Sequence, residues 1–185
     1  SYAGMFALPE GDAAREFRTF TGEPAKSNAA RRHIIGEETI RILSLAGKAH
    51  PEVIPACRRA VANMTERIHQ TDEVLGTLTG IYCCGLCCCS FWRNLAAGNV
   101  DHPRQRLKHG LRELKNCRLG NGRWRRFPFY YTLLALSELE AGLAEEEITY
   151  ALPAIRKSLK SPDTASMYTA RRRELLTRIL TARLG

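Results

Sequence analysis

Three apolar helical runs in this chain close in the same way. Ile42-Leu43-Ser44-Leu45-Ala46-Gly47 ends one, and His50-Pro51 opens the next segment three residues later. Asn94-Leu95-Ala96-Ala97-Gly98 is followed by Asp101-His102-Pro103, and Glu138-Leu139-Glu140-Ala141-Gly142 by Ala144-Glu145-Glu146-Glu147. Gly just past a periodic apolar run is a helix C-terminal signal, and Pro at the first helical position is a start signal. Gly47, Gly98 and Gly142 are 51 and 44 residues apart, within the range of two-helix repeats. The expected fold is all-α: antiparallel helical hairpin repeats, a partial α/α toroid or α-superhelix of about seven to eight helices.

Punctuation along the chain divides it further. Gly4, Pro9, Gly11, Gly22 and Pro24 make residues 1–26 an irregular N-terminal arm, with a short helix expected around Ala13–Phe20. Residues 27–185 then read as one helical-repeat domain, with hairpins at about 28–70, 77–118 and 127–160 and a terminal helix over 164–184. Within these the helices run Asn28–Ala46, Pro51–Gln70, Thr77–Ala97, Pro103–Arg118, Pro128–Ala141 and Ala144–Leu159. No alternating run makes a convincing strand.

Bulk properties narrow the class. With 185 residues, 44% of them hydrophobic and 25% charged, the chain has the length and balance of one ordinary globular domain. The longest apolar run, Ile81–Trp92, falls short of the ~20 residues that span a bilayer and meets Arg93, so no membrane span is expected. The first residues, Ser1-Tyr2-Ala3-Gly4-Met5, lack the basic-then-apolar order of a signal peptide. Five of the seven cysteines lie in Cys83–Cys89, where neighbours on one helix cannot staple distant loops. Free thiols are expected, and with them a reducing, cytoplasmic location.

The net charge of +9 is unevenly spread. Residues 101–126 hold nine Lys/Arg against two Asp/Glu, 127–150 hold none against five, and 151–185 hold eight against two. In the fourth helix Leu107, Leu111 and Leu114 form an apolar stripe, with Arg104, Lys108, Arg112 and Lys115 as a ridge beside it. Arg123, Arg125 and Arg126 follow at the next corner. These seven residues are the candidate site for a polyanion or nucleic acid, and a solvated face is the plainer reading. Gly110, mid-helix, points to a close approach there. Arg171-Arg172-Arg173 oppose the dipole of the last helix, and Glu145–Glu147 are a candidate internal partner.

The third helix is apolar on every side, so it is expected to be surrounded by protein. Cys83, Cys84, Cys87 and Cys88 are weak metal candidates, for zinc or an iron–sulfur cluster, because thiols four apart on a helix meet. A straight helix cannot wrap one ion, so Cys57, Cys117 or a histidine would have to complete the site. The competing reading is cysteine as a small hydrophobe packed around Gly80 and Gly85, and no cofactor is expected on that reading. The histidines (His33, His50, His69, His102, His109) are scattered, and His50 and His102 stand before Pro as helix N-caps.

The stretch from Gly120 to Leu136, Gly-Asn-Gly-Arg-Trp-Arg-Arg-Phe-Pro-Phe-Tyr-Tyr-Thr-Leu-Leu-Ala-Leu, resembles the repeat of the protein prenyltransferase and terpene cyclase superfamily. That repeat has a Gly-x-Trp corner, an aromatic patch and a helix carrying Thr-x-x-Ala-Leu. The resemblance implies an α/α barrel of helical hairpins whose inner helices line an apolar cavity. It is clear over about 20 residues of the 185 and weaker in the other hairpins, where Phe91-Trp92 stands in for the corner. The cyclases' Asp-x-Asp-Asp acid has no counterpart, because Asp12, Asp72, Asp101 and Asp163 are isolated, and no Asp has Cys two residues on, as the prenyltransferases' zinc site requires.

No Gly-rich phosphate loop, HExxH or GxSxG occurs either. The function expected is a non-catalytic module that binds a protein partner or an apolar small molecule in its concave face. The pocket residues expected are Tyr82, Trp92, Trp124, Phe127, Tyr130 and Tyr131. The alternatives are an enzyme on a trimmed α/α scaffold and nucleic-acid binding through the basic ridge.

Overall fold

The computed structural model describes residues 16–46, 50–81, 83–161 and 166–183. Its described residues form seven α-helices and no strand, so the chain is all-α. The helices are α1 (Asn28–Ala46), α2 (Ile54–Leu75), α3 (Gly85–Ala96), α4 (Pro103–Asn116), α5 (Phe129–Ser137), α6 (Ala141–Leu159) and α7 (Met167–Thr181), with a single 3-10 turn at Pro51–Val53.

Two sets of helices emerge from who touches whom. α1, α3, α5 and α7 pack in sequence, each on the next, while α2 leans on α1, α4 on α3 and α6 on α5. α4 also packs on α6, and α6 on α7. The chain thus alternates between a first layer of odd-numbered helices and a second layer of even-numbered ones.

α3 is the axis of the first layer. Residues 87–95 are buried without a break, as a helix apolar on every side demands. Phe91 and Trp92 have no solvent exposure, and Trp92 donates from Nε1 to the Gly80 carbonyl at 2.7 Å. Truncating a Trp buried like this costs about 3–5 kcal/mol. Gly80 and Gly110 let the chain close around that ring. A Cβ on Gly110 would sit 2.5 Å from Trp92 Nε1, and one on Gly80 would sit 1.9 Å from the Arg106 carbonyl oxygen. The close approach expected at Gly110 is therefore met by a side chain of α3 and by the backbone at Gly80.

That approach explains the largest departure from the sequence reading. The third helix does not begin at Thr77: residues 77–81 and 83–84 are irregular, and α3 starts only at Gly85, preceded by an extended Cys84. Thr79 takes over the local hydrogen bonding, its N–H donating to Asp72 Oδ1 at 2.6 Å and its hydroxyl to the Ile81 carbonyl. Gly85 in turn is pressed against the Arg126 carbonyl, 2.2 Å from where a Cβ would stand.

The second departure concerns the third glycine of the repeat. α5 stops at Ser137, and Gly142 lies in the first turn of α6, so it closes no helix. Gly98 does follow α3 with φ +75°, as a C-terminal glycine should, and Gly47 lies outside the described residues. Ala13–Ala14–Arg15 also lie outside them, while residues 16–20 form no helix. They form an irregular arm closed by an isolated bridge between Arg18 and Pro24. His50 and His102 occupy positions ahead of a helical turn, but neither side chain caps it.

The Gly-rich corner is a tight reversal. Gly120 and Gly122 take φ +79° and +78°, Leu119 N–H donates to Arg123 O at 2.9 Å, and Arg125 N–H donates to Cys117 O at 2.7 Å. Behind it Trp124 is 4% exposed and donates to Glu147 Oε2 at 2.8 Å. Trp92 stacks on Phe127 at 5.5 Å, and Trp124 meets Phe129 and Tyr150 at 6.3 and 5.8 Å. The aromatics brace the junction of α3, α5 and α6.

Candidate functional site

A cavity of about 470 Å³ opens on the first layer, and all four odd-numbered helices line it. α1 supplies Ile34, Glu38, Arg41 and Ile42; α3 supplies Arg93; α5 supplies Tyr131 and Leu134. α7 adds Arg171, Glu174, Leu175 and Arg178, and the N-terminal arm adds Phe17, Thr19 and Phe20.

The floor is a charged network. Arg93, 6% exposed, meets Glu138 through two hydrogen bonds, Nε to Oε2 at 2.7 Å and Nη2 to Oε1 at 2.8 Å. Its Nη1 donates to Glu38 Oε1, which also accepts from the Tyr131 hydroxyl at 2.7 Å. Arg41 braces Glu38 from the same helix, Nε to Oε2 at 3.1 Å. Burial disfavours the Arg93 charge, but Glu138 and Glu38 outweigh it and push its pKa upward. Burial, and the negative charge of Glu38, push the Tyr131 phenol well above its usual value. Arg93 is thus held charged and Tyr131 neutral.

The rim is different. Phe20 and Ile42 are more than half exposed, and the Arg171 guanidinium lies 4.5 Å over the Phe20 ring. Arg171 donates to the Phe20 carbonyl at 3.2 Å and Arg172 to the Thr21 carbonyl at 2.6 Å. Arg173 reaches the Leu159 carbonyl at 3.4 Å. Backbone carbonyls, and not Glu145–Glu147, therefore receive the arginine run of the last helix. Arg178 is exposed and donates to the Ser137 hydroxyl at 3.4 Å.

Of the pocket residues expected from sequence, Tyr131 lines this cavity and Tyr82 lies outside the described residues. Trp92, Trp124 and Phe127 are buried in the core, and Tyr130 lies half-buried beneath the Arg172 guanidinium at 4.5 Å. Their place is correspondingly a bracing one. The residues that do furnish the floor, Glu38, Arg93 and Glu138, went unread. The signal was there: an arginine inside Phe91-Trp92-Arg93-Asn94-Leu95, on a helix buried all round, has to be met by carboxylates.

The basic ridge is exposed at Arg104, Lys108, Arg112 and Lys115. Lys115 pairs with Glu146 at 2.6 Å and Arg104 with Glu140 at 3.6 Å. Arg118 takes Glu147 at 2.7 Å, and Arg183 takes Glu145 at 2.7 Å. The acidic block thus serves the ends of α4 and α7. At the corner Arg125 and Arg126 are exposed, while Arg123 lies over Phe129 at 4.1 Å.

A second group of reactive side chains lies where α3 begins. His33 of α1, Cys83 and Cys87 bring one ligand atom each within 4.8 Å of one another, and the Cys84 and Cys87 sulfurs are 3.5 Å apart. Cys88 is buried in the main core with Cys89, its sulfur donating to the Cys83 carbonyl at 3.6 Å. Hydrogen bonds from Cys83 and Cys87 outweigh desolvation and hold the Cys84 thiol far below its usual pKa, with help from the Cys87 and Leu86 amides. Hydrogen bonding to Cys83 and Cys84, then burial, push the Cys87 thiol up. Burial lowers the pKa of His33, which favours the neutral imidazole. All seven cysteines are free; Cys87, Cys88 and Cys89 are buried, but Cys84 is exposed, against the expectation that the whole run would be enclosed.

No helix among the described residues is long and apolar enough to cross a membrane. Comparison with protein-family models, curated proteins and solved structures gives no match to this chain.

Proposed function

We propose that the chain is a binding module that takes an amphipathic small molecule, an apolar body carrying an acidic group, into the cavity of the first layer. The observation that carries this reading is the composition of that cavity. Apolar side chains from the arm, α1, α5 and α7 form its walls, and Arg171 and Arg178 stand on α7 beside it. Its volume of about 470 Å³ falls in the range of small-molecule sites, about 300–1,000 Å³. Binding is favoured over catalysis because Glu38, Arg93, Glu138 and Tyr131 are committed to one another. A general base must be within hydrogen-bond reach of the proton it takes, and these four groups direct their hydrogen bonds at one another. A cavity lined by alternate helices is also what kinship with the prenyltransferase and terpene cyclase superfamily would bring, and it supports that kinship as a proposal.

A fluorescent long-chain fatty acid and its amine-headed analogue, titrated into the protein, test the reading. Saturable binding of the acid, little binding of the amine, and marked weakening of the acid in Arg178→Glu with an unchanged melting temperature are expected. Equal binding of both probes, or of neither, would overturn it.

A further inference from the structure

The cysteines divide into two groups with different work. Cys88 and Cys89 are 1% and 0% exposed and belong to the main core, where a small hydrophobe is all that is required. Cys83 and Cys84 lie at the edge, half-buried and exposed, on the irregular segment that precedes α3. Packing accounts for Cys83, which borders the small cluster of Ala30, Ile34 and Cys87, but not for the exposed Cys84. Cys83 and Cys87 share a histidine from the neighbouring helix, one ligand atom of each of the three lying within 4.8 Å of the others, and the Cys84 sulfur stands 3.5 Å from that of Cys87.

We propose that His33, Cys83, Cys84 and Cys87 form a zinc site that clips the start of α3 to α1. Three thiolates and one imidazole are a standard tetrahedral donor set for this ion, and S–Zn bonds of about 2.3 Å put sulfurs some 3.7 Å apart. The Cys84–Cys87 separation of 3.5 Å already matches that edge. The obstacle of a straight helix is removed by the fold. Cys83 and Cys84 precede α3, Cys84 is extended at its N-cap, and Cys87 follows one turn in, so the chain bends around a point. The fourth ligand comes from α1, five residues before Glu38. Negative charge at the sulfurs suits the positive end of the α3 dipole. A closed set of four ligands is the pattern of a structural site, and the metal would fix the α1–α3 pair that also carries Glu38 against Arg93. The site is independent of the cavity ligand proposed above.

The intact chain, stripped with chelator under reducing conditions and titrated with cobalt(II) and then zinc, gives the test. One ion per chain is expected, with a thiolate-to-cobalt charge-transfer band and tetrahedral d–d bands that zinc abolishes. Cys84→Ser, at an exposed position, should fold and yet bind more than about tenfold more weakly. Cys117→Ser, far from the cluster in sequence, should bind as the parent does. His33→Gln should also lose affinity. Absence of the charge-transfer band, or identical zinc affinity in Cys84→Ser and the parent, would overturn the proposal. So would a Cys84–Cys87 disulfide that forms in air at the same rate with and without zinc.

Discussion

Arg106 has no solvent exposure, yet it belongs to a helix whose other cations face water. Its Nη2 donates to Asp72 Oδ2 at 2.7 Å and Asp101 Oδ1 at 2.9 Å, and Nη1 donates to Asp72 Oδ1 and the Thr79 carbonyl at 2.9 and 3.2 Å. Removing one member of such a group strands the others, so Arg106→Ala should cost about 3–5 kcal/mol in chemical denaturation. The pH dependence carries a definite sign. Burial works against the charge on Asp72 and Asp101, but hydrogen bonds from Arg106, and from Thr79 and His69, outweigh it and lower both pKa values. The stability they lend is complete above the ordinary carboxylate pKa of about 4 and is lost as pH falls through the lower folded values. The gap between parent and Arg106→Ala should therefore be widest near neutral pH and shrink below about pH 4. A gap that stayed constant into acid would show that the two carboxylates gain nothing from Arg106. Gly110→Ala makes a second test at this scale. Alanine gains about 1 kcal/mol of helix propensity over glycine, but its Cβ would meet Trp92 Nε1 at 2.5 Å, so the substitution should lower the melting temperature.

The elements show how far the pattern of apolar runs carries. α1 spans the residues expected, and the apolar stripe of α4, Leu107, Leu111 and Leu114, is buried as its spacing requires. α2 runs to Leu75, five residues past the expected end at Gln70, and closes on Gly76 at φ +65°. Two further boundaries differ for physical reasons. Residues 77–84 look like the start of a buried helix, but a helix there would hold Gly80 away from the α4 backbone, which only an irregular chain without a Cβ can reach. At the other failure, an Ala-Gly pair reads equally as the end of one helix or the first turn of the next, and here it is the latter. The cavity was illegible for a different reason. Its floor is assembled from α1, α3 and the end of α5, and the pairing of Arg93 with Glu38 and Glu138 spans 55 and 45 residues of sequence. Aromatic corners, by contrast, are local, so Trp124 and Phe127 are legible in the sequence, and the structure places both in the core. Burial of residues 87–95 predicts that α3 amides exchange last in native-state hydrogen exchange. The end of α2, where Val74 is 85% exposed, should exchange early. Slower exchange in α2 than in α3 would show that the axis of the fold lies elsewhere.

At the scale of the whole molecule the excess of basic residues looks like an invitation to nucleic acid, and the folded arrangement lowers that expectation. Among the nine Lys and Arg of residues 101–126, Arg106 is enclosed, and Arg104, Lys115 and Arg118 have carboxylate partners. Arg123 is laid over Phe129. Lys108, Arg112, Arg125 and Arg126 remain as exposed cations of this block for which no such partner appears among the described residues. Each phosphate neutralised contributes about 0.9 to the slope of log affinity against log salt, so that about 6–10 such contacts make affinity fall about 10³–10⁵-fold between about 50 and 200 mM salt. Four give a slope near 3.6 at most, which leaves only the sequence-independent binding of about 10⁻⁴–10⁻⁶ M at physiological salt. Duplex DNA should therefore bind weakly, and replacing these four residues by alanine should remove most of the salt dependence without changing the melting temperature. Submicromolar binding at physiological salt, or a slope well above four, would mean that the paired cations leave Glu140 and Glu146 for phosphate. The acidic face of α6 would then be an internal competitor for nucleic acid. The separations of 2.6 Å at Lys115–Glu146 and 3.6 Å at Arg104–Glu140 rank the two: exposed pairs are worth about 0–1 kcal/mol, and the longer one should yield first.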